Sequence, residues 1–220
     1  MLGIKAIIFD VDGTLLDTER IYVQSWKSAG AARGYTVPDV VLQETRGVRT
    51  EEGMKLFHHY CGPNFPYAEI RAERIRISEA CIASTPASVL QKPGAEKLLQ
   101  WLKAQGFRLA AATSTDKQKT DAHLTQAQLL PYFDGIACGD MVTRGKPAPD
   151  IFLKAAELVG VSPEACLAVG DTPADAGSAA AAGMRFVLIP DLVPADPENR
   201  NQCWKCLEHL LQLQKLLETE

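Results

Sequence analysis

The sequence predicts an α/β fold, a parallel-sheet core interrupted by a small all-helical domain. Three observations carry this. Short apolar runs at residues 6–9, 107–112, 135–138, 166–169 and 185–189 have the length and composition of strands buried on both faces. From residue 93 onward helical segments separate these runs, and strands joined through helices pair in parallel because parallel neighbours need a crossover. Between residues 18 and 87 there is no strand pattern. The core is therefore expected to comprise 1–17 and 88–220, and the helical domain 18–87.

The first strand, Ala6-Ile7-Ile8-Phe9, delivers Asp10 and Asp12 and then turns at Gly13-Thr14. Two carboxylates straight after a buried strand are costly unless a positive charge lies between them, and a hard, oxygen-seeking divalent cation suits that role. A helix is expected over 19–33, with Thr18 at its N-cap and Gly34 as its stop. Thr36 and Pro38 open a second helix that ends near Gly47. Thr50 caps a third, carrying Met54, Phe57 and Tyr60 along one side, and 67–84 forms a fourth that stops before Pro86.

In the core, a helix over 95–105 ends at Gly106 and leads into the 107–112 strand. Thr115-Asp116-Lys117-Gln118 has the spacing of a capping box and starts the next helix. Helices over 150–159 and 175–182 are closed by Gly160 and Gly183. The chain finishes in an amphipathic helix over 203–218 bearing Leu207, Leu210, Leu211 and Leu217.

Composition narrows the function. With 46% hydrophobic and 23% charged residues and a net charge of −4, the chain reads as soluble and globular, and the absence of a basic run argues against a nucleic-acid partner. No stretch reaches the roughly 18 apolar residues of a membrane span. The N-terminal apolar run is too short for a signal peptide and is broken by Asp10. The expectation is a cytoplasmic protein with no membrane partner, whose mixed surface suits a monomer. The six cysteines are scattered and read as small hydrophobes in a reducing compartment. Cys203-Trp204-Lys205-Cys206 has the spacing of a redox pair or half a zinc site, but no second pair accompanies it and coincidence is the better reading. His58 and His59 read as packing or surface residues.

The polar residues fall at telling places. Asp10, then Thr113 with Ser114, then Asp171 each follow a strand, and in an open parallel sheet the carboxyl ends share one edge where ligands bind. Asp175 lies one helical turn beyond Asp171. The fold would thus gather residues that are far apart in the chain.

These segments resemble a known family. Asp10-Val11-Asp12-Gly13-Thr14 is similar to the first motif of the haloacid dehalogenase-like superfamily, whose commonest members are magnesium-dependent phosphatases. Gly145-Lys146-Pro147-Ala148-Pro149-Asp150-Ile151-Phe152 resembles its third motif and Gly170-Asp171-Thr172-Pro173-Ala174-Asp175 its fourth. The helical insert lies where the family carries its smaller α-helical cap. The resemblance implies a Rossmann-like core in which Asp10 attacks phosphorus to give an aspartyl-phosphate, and Asp12 serves as general acid and then general base. It implies that the Thr113 hydroxyl and the Ser114 backbone N–H bind the phosphoryl group, that Lys146 neutralises it, and that Mg²⁺ is held by Asp10, the backbone carbonyl of Asp12, Asp171 and Asp175. Glu19, Tyr22, Arg46 and Arg49 are the cap-side candidates for contact with the substrate, which would be a small phosphorylated metabolite.

Within the superfamily, dehalogenating members do not keep the second aspartate, and phosphonate-cleaving members carry a small residue there. Asp12 speaks against both. Metabolite phosphatases, such as phosphoglycolate phosphatase, then compete with sugar-phosphate mutases typified by β-phosphoglucomutase. The mutases have a histidine where this chain has Tyr22, and pair adjacent acids where it has Asp171 and Asp175. Both departures favour hydrolysis. A catalytically silent binding module would be expected to lack one of Asp10, Asp12, Lys146 or Asp171, and all are present.

Overall fold

The structure, a computed structural model, describes residues 3–45, 50–192 and 203–219. The chain divides into two compact units, Thr18–Thr85 and the remainder.

The larger unit is built on a sheet of β1 (Ala6–Phe9), β2 (Arg108–Ala112), β3 (Gly135–Ala137), β4 (Cys166–Gly170), β5 (Arg185–Leu188) and β6 (Lys205–Cys206). Their order is β3-β2-β1-β4-β5-β6 and every pairing is parallel. β1 is central, with Ile8 opposite Ala110 on one side and Ala168 on the other. The chain winds outward from β1 through β2 to β3, and then from β4 to β6 on the other side. The order therefore reverses at β1 and β4, where a doubly wound sheet opens its binding crevice.

The smaller unit consists of α1 (Thr18–Ala31), α2 (Asp39–Glu44), α3 (Thr50–Cys61) and α4 (Tyr67–Ser84). α1 packs along α4. Its centre is aromatic: the Trp26 ring lies 4.3 Å from Phe57, which also meets Phe65 and Tyr67 at 5.3 Å. Tight ring packing lets a unit this small bury a core. His58 Nε2 lies 3.0 Å from the Phe65 carbonyl oxygen, in keeping with a packing role.

The larger unit resumes with α5 (Ala87–Leu90), and α6 (Ala95–Ala104), α7 (Lys117–Gln126), α8 (Asp150–Val159), α9 (Pro173–Ala181) and α10 (Leu211–Thr219) complete it. Side chains alternate across a strand. Ala6 and Ile8 of β1, with Ala110, Ala112, Ala137 and Ala168, bury against Ile151, Phe152, Ala155, Ala176 and Ala179 of α8 and α9. Small residues on both sides let these helices lie close to the sheet. α6 buries Leu98, Leu99 and Leu102, and contacts both β2 and α10.

Four expectations need correction. The helix expected from Thr36 to Gly47 is shorter, because Pro38 is extended with ψ 148° and the helix starts at Asp39. The first helix begins at Thr18 itself, which is buried within it. Asp116, not Thr115, caps α7, accepting the Lys119 N–H. The final helix does not begin at Cys203. Lys205–Cys206 instead forms β6 on the edge of β5, with Trp204 N–H bonded to the Phe186 carbonyl at 2.8 Å and Leu207 N–H to Leu188 at 2.9 Å. The edge of β5 leaves backbone groups to be satisfied, and that demand outweighs the leucine periodicity. Cys206 therefore lies in β6 and Cys203 just before it. Among the described residues no helix is long and apolar enough to cross a membrane.

Candidate active site

Asp10 leaves the tip of β1, its N–H bonded to the Val169 carbonyl at 2.8 Å. β4 then delivers Asp171 beside it, and α9 begins at once with Asp175 on its first turn. Asp10, Asp171 and Asp175 are all buried, and each offers an oxygen within 4.8 Å of the others.

Lys146 enters this group from the loop before α8. Its ammonium lies 2.5 Å from Asp10 Oδ1 and 2.6 Å from Asp175 Oδ1, and donates to the Ala112 carbonyl at 2.8 Å. The Lys146 side chain is 3% exposed and that of Asp175 2%, so solvent does little to weaken the pair. Ser178 of α9 donates to the Ala148 carbonyl at 2.6 Å and ties down the lysine loop. Burial pushes the Asp10 carboxyl up to about 8, with Lys146 opposing and Asp175 and Asp12 adding to the rise. Burial alone would lower Lys146, but Asp10 and Asp175 outweigh it and hold the ammonium above its ordinary value.

Among the described residues, three buried carboxylates gather around the single Lys146 ammonium. A donor set made wholly of carboxylate oxygens fits a hard divalent cation such as Mg²⁺. Two glycines permit this crowding. Gly13 has φ +84°, and a Cβ there would stand 2.5 Å from Asp171 Oδ2; at Gly170 a Cβ would stand 2.7 Å from that of Asp175.

The sequence-derived candidates separate clearly. Asp10, Lys146, Asp171 and Asp175 come together. Thr113 is buried at the end of β2, its Oγ1 3.5 Å from Asp12 Oδ2, and Ser114 is exposed beside it. Among the described residues the three-carboxylate group does not include Asp12, whose side chain turns toward the β2 tip. Glu19 and Tyr22 lie on α1 of the helical unit, where the Arg74 guanidinium stands 4.0 Å over the Tyr22 ring. Arg46 and Arg49 lie outside the described residues.

Several residues escaped the sequence reading. Thr14 Oγ1 donates to Asp171 Oδ1 at 3.2 Å. Thr172 forms a capping box with Asp175: its hydroxyl and N–H donate to Asp175 Oδ2 at 2.6 and 3.1 Å, and the Asp175 N–H donates back to Thr172 Oγ1. The spacing Thr172-Pro173-Ala174-Asp175 was a legible signal for this box. Asp175 thus starts a helix and also clamps Lys146. Thr115 Oγ1 donates to Asp12 Oδ2 at 2.9 Å.

Fold and site together define an α/β enzyme with a buried carboxylate at the tip of its central strand, paired with a buried lysine. The family model for haloacid dehalogenase-like hydrolases matches residues 4–183, and the chain belongs to that family. It is similar to Protein CbbY of Rhodobacter capsulatus, with 37% identity over 198 residues covering 86% of each chain. It is also similar to a probable pseudouridine-5'-phosphatase of Drosophila melanogaster, with 34% identity over 191 residues covering 84% of this chain and 80% of that one. The crystal structure of CbbY from Rhodobacter sphaeroides in complex with phosphate superimposes with a TM-score of 0.76 at 29% identity, covering 94% of each chain.

Proposed function

We propose that the protein is a Mg²⁺-dependent phosphatase that hydrolyses a small phosphorylated metabolite through an aspartyl-phosphate on Asp10. The observation that carries the reading is Lys146, buried and bridging Asp10 and Asp175 beside Asp171. A lysine fixed against the reacting carboxylate keeps that carboxylate in one orientation and offers positive charge to a transferring phosphoryl group. The names of the relatives and the phosphate-bound CbbY structure agree with this chemistry.

In the first half-reaction an Asp10 oxygen bonds to phosphorus, the bond to the leaving oxygen breaks, and Asp12 gives that oxygen its proton. In the second, Asp12 takes a proton from water as the water oxygen attacks phosphorus, releasing phosphate and restoring Asp10. Thr113 Oγ1 and the Ser114 N–H donate to phosphoryl oxygens. Asp10, the backbone carbonyl of Asp12 and Asp171 would hold Mg²⁺, with Asp175 at their side, and the cation would offset the repulsion between carboxylate and phosphate. Glu19, Tyr22, Arg46 and Arg49 are assigned to substrate recognition. The six cysteines carry no disulfide, which supports a cytoplasmic site of action.

The test is release of inorganic phosphate from p-nitrophenyl phosphate with and without Mg²⁺. The reading expects metal-dependent release that Asp10→Asn abolishes. No release with any divalent metal, or full turnover by Asp10→Asn, overturns it. A panel of phosphorylated metabolites then locates the substrate, and free phosphate rather than an isomerised sugar phosphate marks hydrolysis.

A further inference from the structure

The tip of β2 holds a threonine to which neither the motifs nor the chemistry above give a task. The Thr115 hydroxyl donates to Asp12 Oδ2 at 2.9 Å, while the Thr113 hydroxyl stands 3.5 Å from the same oxygen. The backbone of Thr115 is fixed on both sides. Its N–H donates to Thr113 Oγ1 at 3.1 Å, its carbonyl accepts from Gly139 N–H at 2.9 Å, and the following Asp116 caps α7. The tip of β3 is pressed against this turn so closely that a Cβ at Gly139 would stand 2.2 Å from the Ser114 carbonyl oxygen. The Thr115 hydroxyl is therefore aimed before any substrate arrives.

A hydroxyl has one proton to donate. In the proposed reaction Thr113 gives its proton to a phosphoryl oxygen, and it cannot anchor Asp12 at the same moment. We propose that Thr115 is the positioning residue for Asp12, holding the carboxylate by Oδ2 so that its catalytic proton is carried on Oδ1 and delivered from there. An oxygen that already accepts a hydrogen bond from a hydroxyl is the poorer place for a proton. As the bond from Asp10 to phosphorus forms and the bond to the leaving oxygen breaks, the Oδ1 proton passes to that oxygen. The inference rests on the phosphatase reading and adds a residue to it.

The experiment compares Thr115→Val and Thr115→Ser with wild type on an alkyl phosphate, whose leaving oxygen needs a proton, and on p-nitrophenyl phosphate, whose leaving phenolate does not. General acid catalysis supplies roughly 10²–10⁴ in rate, so a misdirected acid should cost Thr115→Val on the order of 10-fold in kcat/KM for the alkyl ester. The p-nitrophenyl ester should keep its kcat/KM to within about 3-fold, because general acid catalysis adds little to a leaving group that needs no proton. Thr115→Ser, which keeps the hydroxyl, should restore the alkyl ester. Equal losses on both esters, no loss on either, or failure of serine to rescue overturns the positioning role. A wild type that hydrolyses neither ester overturns the phosphatase reading itself, so the two failures are told apart. Should Thr115→Val not fold, the same comparison on Thr115→Ala and Thr115→Ser decides.

Discussion

A Cβ on Gly13 would stand 2.5 Å from Asp171 Oδ2. The first turn after β1 is thus pressed against the acid delivered by β4, and the close approach depends on a residue with no side chain. Gly13 also sits at φ +84°, a left-handed conformation that costs other residues about 1–2 kcal/mol. Gly13→Ala should therefore push Asp171 away from Asp10. A displacement near 1 Å in a catalytic group costs about 100-fold in rate, so Mg²⁺-dependent hydrolysis should fall by about that factor. A thermal melt checks that the fold survives, and undiminished turnover would count against the crowding argument.

The Lys146 ammonium lies 2.5 Å from Asp10 and 2.6 Å from Asp175, and both acids are buried with it. Lys146→Met would leave two buried carboxylates facing each other. Removing one partner of a buried pair typically costs about 3–5 kcal/mol, and that is the loss of stability expected in urea denaturation. Asp10→Asn in the same background should recover part of it, because the two substitutions act on one cluster and their effects do not add.

Burial holds the Asp10 carboxyl up at about 8 when no cation is bound. A carboxyl raised in the folded state stabilises the fold at low pH, where it is neutral. That contribution drains away as pH climbs from its unfolded value near 4 through 8 and the buried group must ionise. Metal-free protein should thus lose Tm across this window. Mg²⁺ binds the ionised carboxylate, so the rise in Tm on adding Mg²⁺ should be larger at pH 8.5 than at pH 5.5. Melts with and without Mg²⁺ across pH test this, and a Mg²⁺-induced shift that ignores pH would contradict it. Asp10→Asn should remove the pH-dependent part.

Lys92 joins three parts of the larger unit. Its ammonium lies 2.8 Å from Asp17 and 2.5 Å from Asp191, and the Asp191 side chain is only 3% exposed. Lys92→Met should destabilise the protein by about 3 kcal/mol through the buried acid left behind. Asp191→Asn should relieve most of that loss, read by denaturation of the single and double variants.

Much of the site was legible because local pattern and chemistry agree. Asp10, Asp171 and Thr113 each follow an apolar run, and a parallel sheet brings such positions to one edge. Lys146 was legible from the resemblance of residues 145–152 to the family's third motif. The tail was misread: Leu207, Leu210 and Leu211 suggest a helix from Cys203, but the open edge of β5 recruits Lys205–Cys206 as a strand. Thr115 was misread for a related reason. Its spacing suggests a capping box, yet its hydroxyl is drawn to Asp12 and Asp116 caps the helix instead.

The sequence by itself determined most of the strands and helices and which residue types reach the strand tips, because hydrophobic period and capping chemistry act over a few neighbouring residues. Only the tertiary structure decided which polar groups meet there. The hydrogen bond from Thr115 to Asp12 joins residues 103 positions apart, and that between Lys146 and Asp10 spans 136. Contacts of that kind are fixed by strand order and by how closely Gly13 and Gly139 let the strand tips approach, and no local pattern encodes them.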